Sequence, residues 1–429
     1  MSKIGYKNYK SKHQKSHNHE NNNIDQNINE IEFIFNSNKN DEKKEPEWMK
    51  PETKNIKDIN KRFHAEIIDY VNYITPNDES LTLRQKTFEL FKNIVQKYKP
   101  DWKVYLIGSF SQNLSTLYSD LDFLILFVNK NSSPENELKE MYNLMNILKQ
   151  ENFCKNVRLA KARVPVIRAE CFDTGINVDI SINMENGLQV VEEVQKVLTK
   201  YKILRPSIMF LKILLQKFNL NDPHSGGMSS FLLFHLIYYF FIHKLKEKNI
   251  NIESNNKAKI EEENNKISIN EDIIDSKQSK INNKENNEEK EEYNSDKDKK
   301  ESCKEEKDNI INNNYREDKK YKYEGNIGNF IILFLKFYVY EFYYKKYSIC
   351  LYLYGNNFAK LFLKDERKDM ECSNTISVEK IIEKGNDVGF SCYKYPIIVK
   401  LFQAAYNFIK SEKEKNICSL LLSLGFPSI

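Results

Sequence analysis

The spacing of apolar residues changes twice along this chain. Between residues 56 and 98, apolar residues recur every three or four positions in two stretches, 56–75 and 81–98, and this period predicts two amphipathic helices. The polar segment 76–80 begins with a proline and separates them. Short apolar runs follow, and they predict strands at 104–107, 121–127, 164–169 and 176–182 and a helix at 135–150.

From residue 187 onward the helical period returns. It predicts helices at 189–201, 205–218, 231–242, 327–347 and 394–410, with a short mixed segment at 351–363. A polar stretch bracketed by glycines, residues 383–393, predicts a loop before the last helix. The expected fold class is therefore α+β, with a mixed sheet and its helices followed by a mainly helical region. A ligand cleft is expected between the two parts.

Two segments have the composition of disordered chain. Residues 1–45 and 245–322 are rich in Asn, Lys and Ser and poor in aromatic residues, so neither can bury enough apolar surface to fold. The second segment interrupts the helical region and is predicted to be a long inserted loop. Its acidic and basic residues nearly cancel, so the positive formal charge of the chain, +5, belongs to the folded remainder. A basic folded part suits a polyanionic partner but does not identify one.

Length and composition exclude several classes of protein. The 429 residues include 26 Phe and 25 Tyr, enough to build the cores of two domains. The first thirty residues are polar, and no uninterrupted apolar run reaches about 18 residues, so we expect neither a signal peptide nor a membrane-spanning helix. The seven cysteines form no C-x-x-C pair and are expected to be reduced thiols of an intracellular protein.

The most specific chemical signal lies at residues 104–127, VYLIGSFSQNLSTLYSDLDFLILF. The first apolar run ends at Gly108 and Ser109, and the second begins beside Asp120 and Asp122. Side chains two positions apart on a strand share a face, so the two carboxylates are expected to converge. Carboxylate pairs suit Mg²⁺, and a Gly-Ser turn can bring backbone N–H groups and a hydroxyl close to phosphates. The combination predicts a site for metal-assisted nucleotidyl transfer.

A third carboxylate follows on a neighbouring strand. Asp179 is flanked by apolar residues in the run 176–182, which is predicted to lie beside the strand of Asp120 and Asp122. Three carboxylates can hold two Mg²⁺ ions, of which one activates an attacking hydroxyl and the other stabilises the leaving pyrophosphate. We expect Asp179 to contact only the first ion and to orient or deprotonate the nucleophile.

The Gly-Ser turn followed by the D-x-D strand resembles the signature of the DNA polymerase β-like nucleotidyltransferases. Further motifs resemble those of the noncanonical poly(A) polymerases, and most closely the nuclear polymerases of TRAMP-type complexes. They are HAEIIDY at 64–70, ARVPVI at 162–167, NVDISINMENG at 177–187, HSGGMSSF at 224–231 and GNDVG at 385–389. The resemblance covers residues 50–243 and 326–410. It implies a catalytic domain at 82–185, a helical domain at 50–81, 186–243 and 326–410, and a C-terminal tail at 411–429.

The resemblance also implies roles for individual residues. Asp120, Asp122 and Asp179 would be the catalytic metal ligands for two Mg²⁺ or Mn²⁺ ions. The implied nucleotide-binding residues are Gly108, Ser109, Asn186, Lys212, Ser230, Phe231, Asn386 and Asp387. Within this set, Ser109 and Lys212 would contact phosphates, Asn186 the ribose hydroxyls, and Phe231 the base. The family often places a second basic group one turn after Lys212, where this chain has Gln216.

The implied activity is transfer of AMP from ATP to an RNA 3′ end without a template. Uridine-adding relatives have a histidine where Asn386 stands, so its absence favours adenosine. The alternatives are a terminal uridylyltransferase and a catalytically inactive RNA-binding scaffold, and the three carboxylates argue against the second. Relatives work in the nucleus with a zinc-knuckle RNA-binding protein and a helicase, and the resemblance implies the same partners and location here.

Overall fold

The structure, a computed structural model, describes residues 46–127, 133–160, 165–184, 186–243, 325–351 and 360–412, together with residues 419, 421, 424 and 426. The segments 1–45 and 245–322, for which disorder is predicted, lie outside these residues. The chain divides into two units. The first comprises residues 1–240 and 322–429, and the second, residues 241–321, contains only three described residues.

Helices make up most of the first unit. They are α1 (Pro51–Lys54), α2 (Ile59–Ile74), α3 (Asp78–Tyr98), α4 (Gly108–Ser111), α5 (Pro134–Gln150), α6 (Gly187–Lys200), α7 (Leu204–Lys217), α8 (residues 230–243), α9 (Ile327–Lys336) and α10 (Tyr395–Glu412). Side-chain caps set several starting points. Asp58 accepts from two backbone N–H groups at the start of α2, and Asn77 accepts from the Ser80 N–H at the start of α3.

Five strands form one mixed sheet in the order β1-β2-β5-β4-β3. They are β1 (Lys103–Ile107), β2 (Leu121–Leu126), β3 (Cys154–Ala160), β4 (Val166–Cys171) and β5 (Asn177–Ile182). All neighbours are antiparallel except β2 and β5, which run parallel. Because parallel strands begin at the same edge of a sheet, the first residues of β2 and β5 lie side by side. This arrangement confirms the α+β class.

One face of the sheet is apolar and carries α3 and α5. Phe91 of α3 stacks on Phe123 of β2 with ring centroids 4.5 Å apart, and Leu144 of α5 belongs to the same buried cluster. Since side chains alternate along a strand, Asp122 points to the opposite face. The apolar face therefore anchors the sheet and leaves the other face for polar chemistry.

The helices outside the sheet surround an aromatic core. Phe63 of α2 meets Phe210 of α7 edge to face, and Phe334 of α9 meets Phe402 of α10 in the same way. Phe426 near the C-terminus stacks on Phe210 at 5.0 Å. The predicted division of this unit into a catalytic and a helical domain stays a prediction.

The structure departs from prediction in the helical region. The helix predicted at 327–347 ends early, because α9 continues only through a π-helical turn, Phe337–Glu341. The chain then enters a small sheet of β6 (Tyr347–Cys350), β7 (Lys360–Leu363) and β8 (Val378–Glu379), in the order β7-β6-β8. Strand β3 was also missing from the predicted strands. Both sheets depend on pairing between distant segments, which apolar periodicity does not report.

A buried cation holds the loop that leads into β2. Arg84 of α3 is 2% exposed, and its guanidinium donates to the carbonyls of Thr116, Leu117 and Ser119 at 3.3, 2.9 and 2.7 Å. Arg205 of α7 donates to the carbonyl of Asn113 at 2.8 Å in the same loop. These bonds satisfy carbonyl groups that no strand partner reaches, so they define the path of the loop up to Asp120.

We predict that Arg84→Met lowers the free energy of unfolding by about 3 kcal/mol, because three buried or partly buried carbonyls lose their bonds to the guanidinium at once. Lys86→Met is the matched control on the same helix. Lys86 is 56% exposed and pairs with Asp173 only at 3.8 Å, so its loss should cost less than about 1 kcal/mol. Urea unfolding followed by circular dichroism measures both. Equal stability of the two variants would contradict the role given to Arg84.

Candidate active site

The turn after β1 brings the backbone against a carboxylate. Gly108 has φ of 68°, in the left-handed region, and a Cβ at this position would overlap the side chain of Asp122. Only glycine therefore fits. The next residue, Ser109, donates its backbone N–H to the Asp122 carboxylate. The Gly-Ser pair thus lies directly beside the D-x-D strand, as predicted.

The three aspartates meet on one face of the sheet. Asp122 of β2 is the direct ladder partner of Asp179 on the parallel strand β5. Asp120 precedes Asp122 by two residues and lines the same cavity. The parallel pairing of β2 with β5 is thus what brings Asp179 to the D-x-D motif.

The charges of these carboxylates are strongly coupled. Burial raises the pKa of Asp122 to about 7, and repulsion from Asp179 and Asp120 adds to this effect. Burial also raises the pKa of Asp179, while the positive charges of Arg168, His224 and Arg158 lower it. Burial and mutual repulsion make it costly for these carboxylates to be ionised together, and a bound cation would lower that cost.

Lys212 of α7 is the cation whose charge acts on Asp122. Its Nζ donates to the Leu114 carbonyl at 3.2 Å and to the Ser119 hydroxyl at 3.4 Å. Burial lowers the pKa of this ammonium to about 8, although Asp122 and Asp120 act in the opposite direction. Lys212 therefore joins the loop before β2 to the site, and Gln216, one turn further, also lines the cavity.

A cavity of about 890 Å³ opens over these groups. Ten of the eleven predicted site residues line it: Gly108, Ser109, Asp120, Asp122, Asp179, Asn186, Lys212, Ser230, Phe231 and Asn386. The structure thus brings together residues that are up to 278 positions apart in the sequence, Gly108 and Asn386 being the extremes. Its volume is in the range of small-molecule sites.

A buried histidine fixes the aromatic wall of the cavity. His235 of α8 lies fully buried, with its Nδ1 at 2.7 Å from the Phe231 carbonyl and its Nε2 accepting the Ile381 N–H at 3.1 Å. Because Nε2 is an acceptor, Nδ1 carries the proton and donates to Phe231. Burial lowers the pKa of His235 to about 4, so the imidazole is neutral. Its ring also contacts Phe231 edge to face at 4.4 Å.

The loop after β8 supplies polar groups to the cavity. Glu383 accepts from Lys380 at 2.7 Å and from the side chain of Asn186 at 3.4 Å. Hydrogen bonds from Lys380, and to a smaller extent from Asn386 and Asn186, keep the pKa of Glu383 below its usual value. Asn186 therefore meets this loop inside the cavity, next to Asn386.

Asp387 is the one predicted nucleotide-binding residue that does not line the cavity. It is 8% exposed, and its carboxylate accepts from the backbone N–H groups of Ser373, Val378 and Gly389 at 2.8–2.9 Å. With these acceptor positions occupied, Asp387 shapes the loop that presents Asn386. Its direct contact with a nucleotide stays a prediction.

Among the lining residues that sequence reasoning missed are four with acidic or basic side chains: Arg168, His224, Lys380 and Glu383. Arg168 and His224 lie within or next to quoted motifs, but their side-chain directions depend on sheet register and on a short 3₁₀ turn, Pro223–Ser225. Glu383 is the first residue of the predicted polar loop, and Lys380 lies three positions before it. Nothing in their local spacing distinguishes them from solvated surface residues.

The donor set fits a divalent cation. In the described part of the chain, no three His, Cys, Asp or Glu side chains are grouped closely enough to hold one ion as they stand. Asp179 is drawn instead towards Arg168, with Oδ2 3.4 Å from Nε. Carboxylate oxygens are nevertheless the ligands that Mg²⁺ prefers, and the raised pKa of Asp122 shows that a cation beside it would be stabilised.

Comparison with known proteins identifies the palm of this chain. Residues 63–193 match the family described as "Poly(A) RNA polymerase, mitochondrial-like, central palm domain". The chain is 30% identical over 185 residues to poly(A) RNA polymerase protein 2 of Saccharomyces cerevisiae and 31% identical over 189 residues to poly(A) RNA polymerase cid14 of Schizosaccharomyces pombe. Each alignment covers 43% of this chain, but only 31% and 27% of the relatives.

The similarity to solved structures extends beyond residues 63–193. The polymerase core of TRAMP, an RNA surveillance complex, superposes with a TM-score of 0.59 at 20% identity, covering 87% of this chain and 95% of that one. A histidine-to-asparagine variant of the Cid1 poly(U) polymerase bound to MgATP superposes with a TM-score of 0.55 at 16% identity, covering 82% and 95%. At these identities the likeness shows the fold alone.

The fold is therefore similar to those of solved polymerase cores. Residues 63–193 match the model of a central palm domain of poly(A) RNA polymerases, which confirms the resemblance to noncanonical poly(A) polymerases. In the described residues, no helix is both long and apolar enough to cross a membrane.

We predict that Asp122→Asn stabilises the protein in EDTA, and does so more at higher pH. The folded pKa of Asp122, about 7, lies above its ordinary value of 3.8. The folded state therefore binds an extra proton between these values, and the wild type loses stability as pH rises through this window. The stability gap between variant and wild type should be about 2 kcal/mol wider at pH 8 than at pH 5. Urea unfolding at both pH values measures it, and a gap that narrows with pH would refute the assignment.

Proposed function

We propose that this chain transfers AMP from ATP to the 3′-hydroxyl of RNA without a template and releases pyrophosphate. The observation that carries the proposal is the meeting of Asp120, Asp122 and Asp179 beside the Gly108–Ser109 turn in one cavity. The family of the palm domain and the names of the matched relatives support it. Because the chain covers less than a third of those relatives, the activity remains a proposal for this protein.

Asp120, Asp122 and Asp179 would hold the divalent ions, two Mg²⁺ or Mn²⁺ per site. When bound, such ions polarise the reacting phosphate and lower the pKa of an attacking hydroxyl. Asp179, whose ladder partner on β4 is Arg168, would orient the RNA 3′-hydroxyl or receive its proton. Structures of related polymerases with MgATP or MgGTP support a need for a divalent ion.

The remaining residues of the cavity would bind the nucleotide. The Ser109 N–H and hydroxyl and the Lys212 ammonium lie where the triphosphate would meet the carboxylates. Asn186 can both donate to and accept from a ribose hydroxyl, which would favour ribonucleotides. Phe231 offers a π-face to the base, and His235 keeps it in place. Ser230 and Asn386 contribute polar groups near the base.

Adenosine is the base that this cavity favours. Asn386 stands where uridine-adding relatives have histidine, and the matched curated relatives are named poly(A) RNA polymerases. Uridylyl transfer is the second candidate, since several solved structures of the same fold are of a poly(U) polymerase. An inactive scaffold is disfavoured because all three carboxylates are present.

The biological setting follows by analogy. The likeness to the polymerase core of an RNA surveillance complex supports a role in RNA surveillance and processing. A zinc-knuckle RNA-binding protein and a helicase as partners, and a nuclear location, are proposed on the resemblance of the sequence motifs to the nuclear polymerases of TRAMP-type complexes.

We predict that Asp120→Ala and Asp122→Ala each lower the rate of nucleotide addition at least about a thousandfold, since a loss of about 4 kcal/mol in transition-state stabilisation corresponds to three powers of ten. Extension of a labelled RNA primer with Mg²⁺ or Mn²⁺ measures it. Asp173→Ala is the control, because Asp173 is 51% exposed in the turn before β5. Substantial activity of either folded site variant would rule out the metal assignment.

We predict that ATP has the highest kcat/KM of the four nucleotides and that Asn386→His shifts the ratio of ATP to UTP use about tenfold towards UTP. One hydrogen bond to the base is worth about 1 kcal/mol, or somewhat more in a buried place. Primer extension with each nucleotide separately measures the ratio. Asn143→His, at an exposed position of α5, should leave it unchanged. A wild type that uses UTP as well as ATP would defeat the adenylate assignment.

A further inference from the structure

A row of charged residues crosses the sheet from its edge to the aspartates. Arg158 of β3 is the ladder partner of Arg168 on β4, and Arg168 is the partner of Asp179 on β5. Asp179 is in turn the partner of Asp122 on β2. Directly paired residues point to the same face of a sheet. The row therefore places two arginines on the catalytic face, on the side of Asp179 away from β2.

Arg168 has spare capacity to bind an anion. Its Nε lies 3.4 Å from the Asp179 Oδ2 without the alignment of a hydrogen bond, and among the described residues this buried Nε has no hydrogen-bond partner. The side chain is 32% exposed and lines the cavity. Arg158, on the edge strand, is exposed. A guanidinium offers five donors, so Arg168 can contact a phosphate while it remains beside Asp179.

The two substrates of the proposed reaction must lie on opposite sides of the aspartates. The groups that suit the nucleotide, Ser109 and Lys212, lie on the side of β1 and α7. An attacking hydroxyl and a leaving group are in line in phosphoryl transfer. The RNA 3′ end must therefore approach from the side of Asp179, and the residues of the row beyond Asp179 are Arg168 and then Arg158.

We propose that Arg168 and Arg158 bind the phosphates next to the 3′ end of the acceptor RNA, Arg168 at the last internucleotide linkage and Arg158 further back along the strand. The inference rests on the proposed function, since it identifies how the same site takes its acceptor. Neighbouring strands are about 4.8 Å apart, so two long side chains on β4 and β3 can follow consecutive phosphates of one extended strand. The contacts are to the backbone and carry no sequence preference.

Binding of RNA without nucleotide tests the proposal independently of catalysis. The full chain in EDTA is titrated against a fluorescein-labelled oligoadenylate of 15 nucleotides, and anisotropy gives Kd over a range of salt concentrations. Arg158→Gln and Arg168→Gln should each raise Kd about fivefold or more. Each should also reduce the slope of log K against log salt by about 0.7, the value for one phosphate contact on a single strand. Arg168→Lys should keep most of the slope.

Lys155→Gln is the matched control. Lys155 is a basic residue on the same strand as Arg158, 50% exposed, and its Nζ pairs with Glu170 at 2.8 Å outside the charged row. Its replacement should change neither Kd nor the salt slope. An equal loss in this control would mean that β3 attracts RNA only through overall charge, and would overturn the proposal.

An RNA with one uncharged internucleotide linkage tests which phosphate Arg168 contacts. An oligonucleotide with a methylphosphonate at its last internucleotide position should bind the wild type more weakly and bind Arg168→Gln with no further loss. In primer extension, Arg168→Gln should raise the KM for RNA with the KM for ATP changed less than twofold. Unchanged RNA binding together with a reduced kcat would show that Arg168 acts only on Asp179, and would refute the proposal. Absence of nucleotide addition by the wild type would refute the proposed function instead. The RNA-binding measurements could still be interpreted in that case, because they are made without nucleotide.

Discussion

The whole site depends on holding three mutually repelling carboxylates on one face of a sheet. The parallel pairing of β2 with β5 puts Asp122 beside Asp179, and partial burial prevents water from screening them. The apolar face of the same sheet, packed on α3 and α5, supplies the stability that opposes this repulsion. Burial and repulsion from the other two carboxylates both raise the pKa of Asp122. A bound divalent cation would offset this cost of its negative charge.

Basic side chains of the surrounding helices hold the loop that leads to the aspartates. Arg84, Arg205 and Lys212 donate to successive carbonyls of the loop between α4 and β2, so three side chains from α3 and α7 position the segment that ends in Asp120. His235 has a similar positioning role next to Phe231. It donates to the Phe231 carbonyl of α8 and accepts from the Ile381 N–H of the loop after β8. All four of these side chains thus act through hydrogen bonds to main-chain atoms. Such bonds require a narrow range of distances and angles, so they position the segments that they join.

Local patterns predicted the parts that depend on near neighbours. The apolar period predicted α2 and α3, and the D-x-D spacing predicted that Asp120 and Asp122 share one face. Asp179 was found because it lies in an apolar run of its own. The small sheet of β6, β7 and β8, the early end of α9 and the buried position of Asp387 were not predictable in this way. The small sheet depends on pairing between separate segments, such as Ile349 with Val378. Asp387 is buried because its carboxylate accepts from the backbone N–H groups of Ser373, Val378 and Gly389, which the apolar period does not report.

The sequence by itself indicated the class of chemistry that is proposed, because the Gly-Ser turn and the two carboxylates two positions apart are local features of the chain. Only the tertiary structure decided which charges face one another. Sheet register places Arg168 and Arg158 in line with Asp179, and the packing of α7 and α8 brings Lys212 and Phe231 to the same cavity. Register and packing arise from contacts across the whole chain, so no local pattern of residues contains them.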